Sequence, residues 1–355
     1  MKKNTNEMIE KEEDIDLRMN VIPSDSQVQD ETQSNEELKP LGEYIDCVSM
    51  FDTVMAESKL KLDIMKDIFK DKLKTPLLYI IRTTEDKASE VYAKNIEKRC
   101  EEVGIIAVNL LAENGYTDIV NQVAASSVNA YQRGGVILCQ PLHESITENE
   151  KEEIIKFIDK ECDVDGLGEN PYYTPCTSLS VKYIMERLIE KGVLEENYAN
   201  TNVLVIGRSK HVGLPITKYL QTTNATVTMC HSKTKDLQVY IDNADVIISS
   251  VGKANFINAE MLKNNKSDRL TLIDVGINTD ENGKLCGDFS KDVINVAKYV
   301  TKVPNGVGTL TTAMLLSNVV SAVERGLSYF GNSNKIFNDY LVKYYKMMNN
   351  TKDIK

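Results

Sequence analysis

Hydrophobic and polar positions follow two alternating periods along most of the chain. From Glu43 the apolar residues Tyr44, Cys47, Val48, Phe51, Val54 and Met55 recur at spacings of three and four, which predicts a helix starting there. A second charged amphipathic stretch runs through Leu60, Ile64, Ile68 and Phe69. The pattern then changes: TPLLYIIRT is a short unbroken apolar run flanked by Pro76 and Thr83, as in a strand buried on both faces. ASEVYAKNIEKRC (88–100) reads as a helix closing near Gly104. IIAVNLL is the next expected strand, 117–131 a helix, GGVILCQPL a strand, and 149–160 and 177–192 helices. Strand and helix alternate, which favours a parallel α/β sheet over an all-β fold.

At Asn202 the alternation restarts. NVLVIG, ATVTMCHS, ADVIISSVG and LTLIDVGIN are expected strands, with a helix over 212–222. This second run ends near Pro304 and is followed by one apolar helix, TLTTAMLLSNVVSAVERGL. No repeat of solenoid length is present. Residues 1–40 lack a sustained period and are expected to be a disordered acidic extension, and the Asn- and Lys-rich stretch 331–355 a fraying tail.

Composition narrows the classes. A chain of 355 residues accommodates two domains of ordinary size. Its net charge of −11, of which residues 1–40 carry −6, argues against a nucleic-acid partner held by phosphate neutralisation. The seven cysteines are odd in number and form no C-x-x-C, so neither a disulfide framework nor a zinc knuckle is suggested. No apolar run reaches the roughly 18 to 20 residues of a membrane span. The acidic N-terminus is neither a secretory signal nor an Arg-rich transit peptide. A cytoplasmic protein with no membrane partner is the expectation.

The strongest local motif is NVLVIGRSKHVGLP, an apolar strand entering Gly207, then a polar turn, then Gly213 at a helix start. A doubly wound sheet binds dinucleotides at such a place, because glycine admits close backbone approach and the helix N-terminus favours the pyrophosphate. Ser209 stands where G-x-G-x-x-G has its middle glycine, so a plain tight turn remains an alternative. Arg208 suits a 2′-phosphate, and Ser232 and Lys233 follow the next strand; a solvent-exposed arginine is the bland reading. SVGKANF and IDVGIN add two strand-end glycines, expected where backbone nears a ligand. DVDG (163–166) reads first as turn chemistry, with paired carboxylates as the alternative. PNGVGTLTTAM (304–314) is a glycine-containing loop opening onto a helix. His143, His211 and His231 show no ligand spacing, so no metal is expected.

Taken in order, ASEVYAKNIEKRCEEVGI, GGVILCQPL, DVDG, PCTSLSV, VIGRSKHVGLP, ATVTMCHSKTKDL, ADVIISSVGK, IDVGIN and PNGVGTLTTAMLL resemble the bifunctional methylenetetrahydrofolate dehydrogenase/cyclohydrolase family over about residues 43–330. The resemblance implies an α/β fold with two domains flanking a cleft: a folate domain over 43–190 plus 309–330 and a Rossmann-type NAD(P) domain over 191–308. It also implies a homodimer. Members oxidise 5,10-methylenetetrahydrofolate by hydride transfer to NADP or NAD, then hydrolyse the methenyl product to 10-formyltetrahydrofolate. By position Tyr92 would line the folate pocket and Asp165 hold the pterin, with Cys139, Gln140, Pro304, Gly306, Val307, Gly308 and Thr311 around the substrate. Gly207, Arg208, Ser209, Ser232, Lys233 and Ile277 would contact the cofactor, Arg208 and Ser209 favouring NADP.

The departures from the family pattern fall on the chemistry. The family lysine four residues after the tyrosine is Ile96, and the glutamine that supports it is Cys139, with Gln140 one place later. Asn305 and Thr309 replace a glycine and a proline of the closing loop, and the segment LGENPYYT is short for the family. At about 100° per residue, Lys94 and Lys98 lie about 160° from position 96. Gln140 is turned to the other face of its strand unless a bulge intervenes. The expectation is an NADP-linked dehydrogenase whose cyclohydrolase step is weakened. The alternatives are a non-catalytic descendant that binds cofactor or a protein partner, and an α/β oxidoreductase with another substrate.

Overall fold

The computed structural model describes residues 41–85, 87–328 and 342. The expected extension over 1–40 and, apart from Val342, the expected tail over 331–355 lie outside the described residues.

Where the periodicity predicts a helix from Glu43, the chain forms a strand, β1 (Glu43–Tyr44), and the helix begins later. The reason is a backbone partner distant in sequence: Glu43 and Tyr44 pair in parallel with Tyr299 and Val300. Gly42 donates its N–H to Ile294 O at 3.0 Å. A Cβ on Gly42 would lie 2.1 Å from Ala297 O, so glycine permits this docking. Asp46 then caps α1 (Cys47–Phe69), accepting from Ser49 N at 3.0 Å. The two amphipathic stretches are one helix, since no glycine or proline separates them.

The first lobe continues with β2 (Leu77–Arg82), α2 (Lys87–Val103), β3 (Ile106–Leu111), α3 (Tyr116–Ala130), β4 (Gly134–Leu138), α4 (Glu148–Ile155) and α5 (Cys176–Glu190). Its sheet is parallel, ordered β3-β2-β4. Strand parity divides the core. Leu78, Ile80, Ile137 and Cys139 enter one apolar cluster, while Ile81, Val136 and Leu138 enter another on the opposite face.

The second lobe comprises β5 (Asn202–Ile206), α6 (Gly213–Leu220), β6 (Thr226–Cys230), α7 (Leu237–Ile241), β7 (Val246–Ser249), α8 (Ala259–Leu262), β8 (Thr271–Asp274), the antiparallel pair β9 (Asn278–Thr279) and β10 (Leu285–Cys286), and β11 (Tyr299–Val300). The six-stranded sheet is parallel, ordered β1-β11-β8-β7-β5-β6. After β6 the chain crosses to the other side of β5, so the carboxyl end of β5 is the topological switch point. Because β1 joins this sheet, residues 43–44, expected with the folate domain, pair with strands of the second lobe. The run LTLIDVGIN is likewise two elements, β8 and β9, divided at Gly276.

The last described helix is α9 (Val307–Ser328). By length and hydropathy alone it could cross a membrane, contrary to the expectation that no apolar run is long enough. Its apolar side chains, among them Leu310, Leu316, Val319 and Val323, are buried inside the fold, and α9 lies along α1 and α5. An ion pair between Lys61 and Glu324 (2.5 Å) fastens α9 to α1. One apolar cluster includes residues of α1, α5 and α9 together with Val203, Val205, Val246 and Ile248 from the second sheet, so it is shared between the lobes.

Candidate active site

Tyr92 is presented by α2 with 39% of its surface exposed, yet its hydroxyl points to a desolvated place. Burial pushes that hydroxyl well above the ordinary tyrosine value, and the neighbouring Asp165, Cys139 and Cys176 push it the same way. It therefore stays protonated near neutral pH. The Cys176 thiol, 1% exposed, donates to Val164 O at 3.3 Å and is also held protonated by burial. Asp165 is different: burial first, then the charge of Asp163, raises its carboxyl from 3.8 to about 6.

Both readings of DVDG apply, to different residues. Asp163, 2% exposed, accepts from Leu167 N at 2.9 Å and Gly168 N at 2.8 Å, and Gly166 takes a φ of +70°. That half is turn chemistry. Asp165, two residues on, faces the Tyr92 cluster. Val164 between them is anchored by Asn318 of α9, whose Nδ2 donates to Val164 O at 2.8 Å. Arg325, also on α9, closes the short segment beyond: it pairs with Glu161 at 3.1 Å and lies 3.3 Å from the Tyr172 ring centroid. Sequence spacing did not point to Asn318 or Arg325, because their partners lie more than 140 residues away.

The position of the family lysine is apolar in its surroundings as well as its identity. Ile96 is 0% exposed and packs in the cluster that holds Ile80, Ile137 and Cys139. Lys94 is exposed and pairs with Glu90 at 2.5 Å, and Lys98 is exposed as well. Beyond the end of β4, Cys139 keeps the inward parity while Gln140 is exposed and donates to Leu138 O at 3.4 Å. The glutamine thus turns outward.

Pro304 and Asn305 are exposed and Gly306 is buried in the closing loop; α9 starts inside the expected loop, with Val307 buried, Gly308 exposed and Thr311 accepting from Ser180 Oγ at 3.3 Å. Asn305 takes a φ of +69°, which asparagine tolerates better than other side-chain-bearing residues. A Cβ on Gly308 would lie 3.3 Å from Ile277 Cδ1, so the start of α9 and the turn after β8 adjoin. A cavity of about 790 Å3 lies behind the loop, lined by residues such as Tyr44, Phe289 and Pro304, and it includes neither Tyr92 nor Asp165.

At the switch point Gly207 has a φ of +117°, and a Cβ there would lie 2.3 Å from Ser250 Oγ. A Cβ on Gly213 would lie 2.2 Å from Gly207 O, so strand end and helix start approach as only glycines allow. Ile206 pairs with Cys230, which sets the exposed Arg208 and Ser209 beside the exposed Ser232 and Lys233. Ile277 is 64% exposed. Gly252, with a φ of +69°, faces open space. The glycines, the open backbone and the cations at two adjacent strand ends fit a dinucleotide. Gly276 departs from the expectation that strand-end glycines make room for a ligand: its space is taken by Asp288, whose Oδ1 would lie 2.2 Å from a Cβ. Among the described residues no group of three or more His, Cys, Asp or Glu side chains is placed to hold a metal.

Residues 45–165 match the family described as tetrahydrofolate dehydrogenase/cyclohydrolase, catalytic domain, and residues 175–327 match its NAD(P)-binding domain. The chain belongs to the tetrahydrofolate dehydrogenase/cyclohydrolase family. It is 35% identical over 291 residues to the bifunctional protein FolD of Agathobacter rectalis, covering 78% of this chain and 99% of that one. To FolD of Janthinobacterium sp. it is 37% identical over 263 residues, covering 71% and 88%. The crystal structure of the bifunctional FolD enzyme of Campylobacter jejuni superimposes with a TM-score of 0.69 at 29% identity, covering 80% of this chain and 99% of that one. The Trypanosoma brucei dehydrogenase-cyclohydrolase, complexed with NADP and an inhibitor, gives 0.69 at 26% identity, covering 81% and 99%. The protein is therefore an enzyme of this family, with an NAD(P)-binding domain built on β5–β8.

Proposed function

We propose that this family member is an NADP-linked methylenetetrahydrofolate dehydrogenase whose cyclohydrolase step is weakened or lost. The observation that carries the proposal is Ile96: fully buried among apolar side chains at the place of the family lysine, it neither donates nor accepts a proton. Cys139 replaces the supporting amide with a thiol, a poor donor and acceptor. NADP, when bound, supplies the hydride acceptor. The protein's part in that step is to place the folate carbon against the nicotinamide, which needs position more than proton transfer. Tyr92 lines and stacks on the folate, Asp165 accepts hydrogen bonds from the pterin, and the segment Pro304–Thr311, a short loop and the first turn of α9, closes over it. Gly207, Arg208, Ser209, Ser232, Lys233 and Ile277 hold the cofactor. Hydrolysis, by contrast, needs an activated water and a proton acceptor, and the protonated Tyr92 and Cys176 supply neither.

The test is to follow methenyl absorbance after mixing protein, methylenetetrahydrofolate and NADP. Methenyl is expected to accumulate and then decay at the buffer rate. Rapid protein-dependent decay would refute the weakened step, and no methenyl with either NADP or NAD would point to a non-catalytic descendant. Arg208→Ala is expected to raise KM for NADP by about 10- to 100-fold, the range of one or two charged hydrogen bonds. KM for NAD should stay near its starting value, and a parallel rise for both would remove Arg208 from the 2′-phosphate.

The homodimer belongs to the same reading. Strand β3 is an edge of its sheet and leaves Ile106 53% exposed, an apolar edge suited to a second copy. Light scattering should give twice the 39.9 kDa chain mass, and Ile106→Lys should shift it towards the monomer.

A further inference from the structure

Behind the cofactor loops lie two buried carboxylates with no assigned role. Asp288 is 0% exposed and Asp274 is 3% exposed. Oδ2 of Asp288 accepts from Ser249 Oγ at 2.8 Å and Val251 N at 2.7 Å; Oδ1 accepts from Lys253 N and Asn278 Nδ2, each at 3.0 Å. Those four donors come from the last residue of β7, from the loop after it and from the residue next to Ile277. Asp274 in turn holds Asp288: its Oδ1 accepts from Asp288 N and Gly276 N at 3.0 Å, and its Oδ2 from Phe289 N at 3.0 Å. Gly276 and Gly287 leave room for the pair, since a Cβ on either would lie 2.2 Å or less from a carboxylate oxygen.

We propose that Asp288 is a positioning residue for the nicotinamide end of the cofactor, tying the Val251–Lys253 loop and Asn278 into one rigid cradle beside Ile277. This deepens the dehydrogenase reading and rests on it. The geometry requires an acceptor at both oxygens. An amide in its place turns an NH2 towards either Val251 N or Lys253 N, whichever way it flips, and one loop must move.

The test compares wild type with Asp288→Asn and with Asn278→Ala, which removes one donor and keeps the carboxylate. Asp288→Asn is expected to raise KM for NADP about tenfold while KM for methylenetetrahydrofolate stays within about twofold. The primary isotope effect with methylene-deuterated substrate should rise, because a loosened hydride path makes the chemical step slower; a role in stability alone leaves that ratio unmoved well below Tm. Asn278→Ala should show the same pattern at about threefold. A lower Tm with unchanged cofactor KM and isotope effect overturns the proposal. If Asp288→Asn does not fold, Asn278→Ala decides by the same readouts. NADPH fluorescence titration separates this proposal from the reading beneath it. If wild type binds NADPH without turning over folate, the dehydrogenase reading fails, and a weakened or unchanged NADPH Kd in the variants still supports or overturns the cradle.

Discussion

The double substitution Ile96→Lys with Cys139→Gln is expected to raise protein-dependent methenyl hydrolysis by on the order of a hundredfold, the lower end of what a positioned proton-transfer group contributes. Ile96→Lys alone should do much less and should cost stability. Position 96 is fully buried in an apolar cluster, so an unpaired ammonium there is neutralised by desolvation or penalised by several kcal/mol. Cys139 shares that cluster, and an amide at 139 offers the lysine an acceptor where a thiol offers little. Hydrolysis is read as the decay rate of preformed methenyltetrahydrofolate, and folding as Tm. A folded double variant that still oxidises the methylene form, but leaves methenyl to decay at the buffer rate, would place the loss of hydrolysis outside these two positions.

Asp165→Asn should separate activity from stability in opposite directions. Without a carboxylate to accept from the pterin, kcat/KM for the folate is expected to fall by at least about a hundredfold, the worth of one or two charged hydrogen bonds. Folding should respond the other way. The Asp165 carboxyl is raised from 3.8 to about 6 by burial, so between those values the folded state holds a proton that the unfolded state has released. Stability therefore falls as pH rises from 3.8 to about 6 and stays low above it. Asparagine removes the buried charge. Tm at pH 8 should rise by a few degrees, with a ceiling of about 3 kcal/mol, and the gain should vanish below pH 4. In wild type, kcat/KM for the folate should drop as pH falls through about 6. An unchanged Tm at pH 8 would show that Asp165 carries no uncompensated charge.

Much of the fold was legible because its strands are short apolar runs and its helices amphipathic, so period alone marked β2, α2, β4, β5 and α6 to within a few residues. The misreadings share one cause. Glu43–Tyr44 reads as helix until β11, more than 250 residues later, offers a ladder. LTLIDVGIN reads as one strand until Asp288 fills the space beside Gly276. The short elements α7, α8, β9 and β10 are too brief for a period to register. In the candidate site, Tyr92, Asp165 and the Gly207 turn stand in recognisable motifs. Asp288 and Asn318 do not, because a buried hydrogen-bond acceptor or donor has no sequence signature apart from its partners.

The sequence by itself determined the alternation of strand and helix, the order of the motifs and the presence of Ile96 and Cys139 where the resemblance implies a lysine and a glutamine, since identity and local period are properties of neighbouring residues. Only the tertiary structure decided what those replacements mean physically. It buries Ile96 and Cys139 in the same apolar cluster, turns Gln140, Lys94 and Lys98 outward, and gives Asp163 to a turn while leaving Asp165 beside Tyr92. Burial and hydrogen-bond partners depend on segments far apart in the chain, and they determine whether a side chain in a familiar motif can carry a proton.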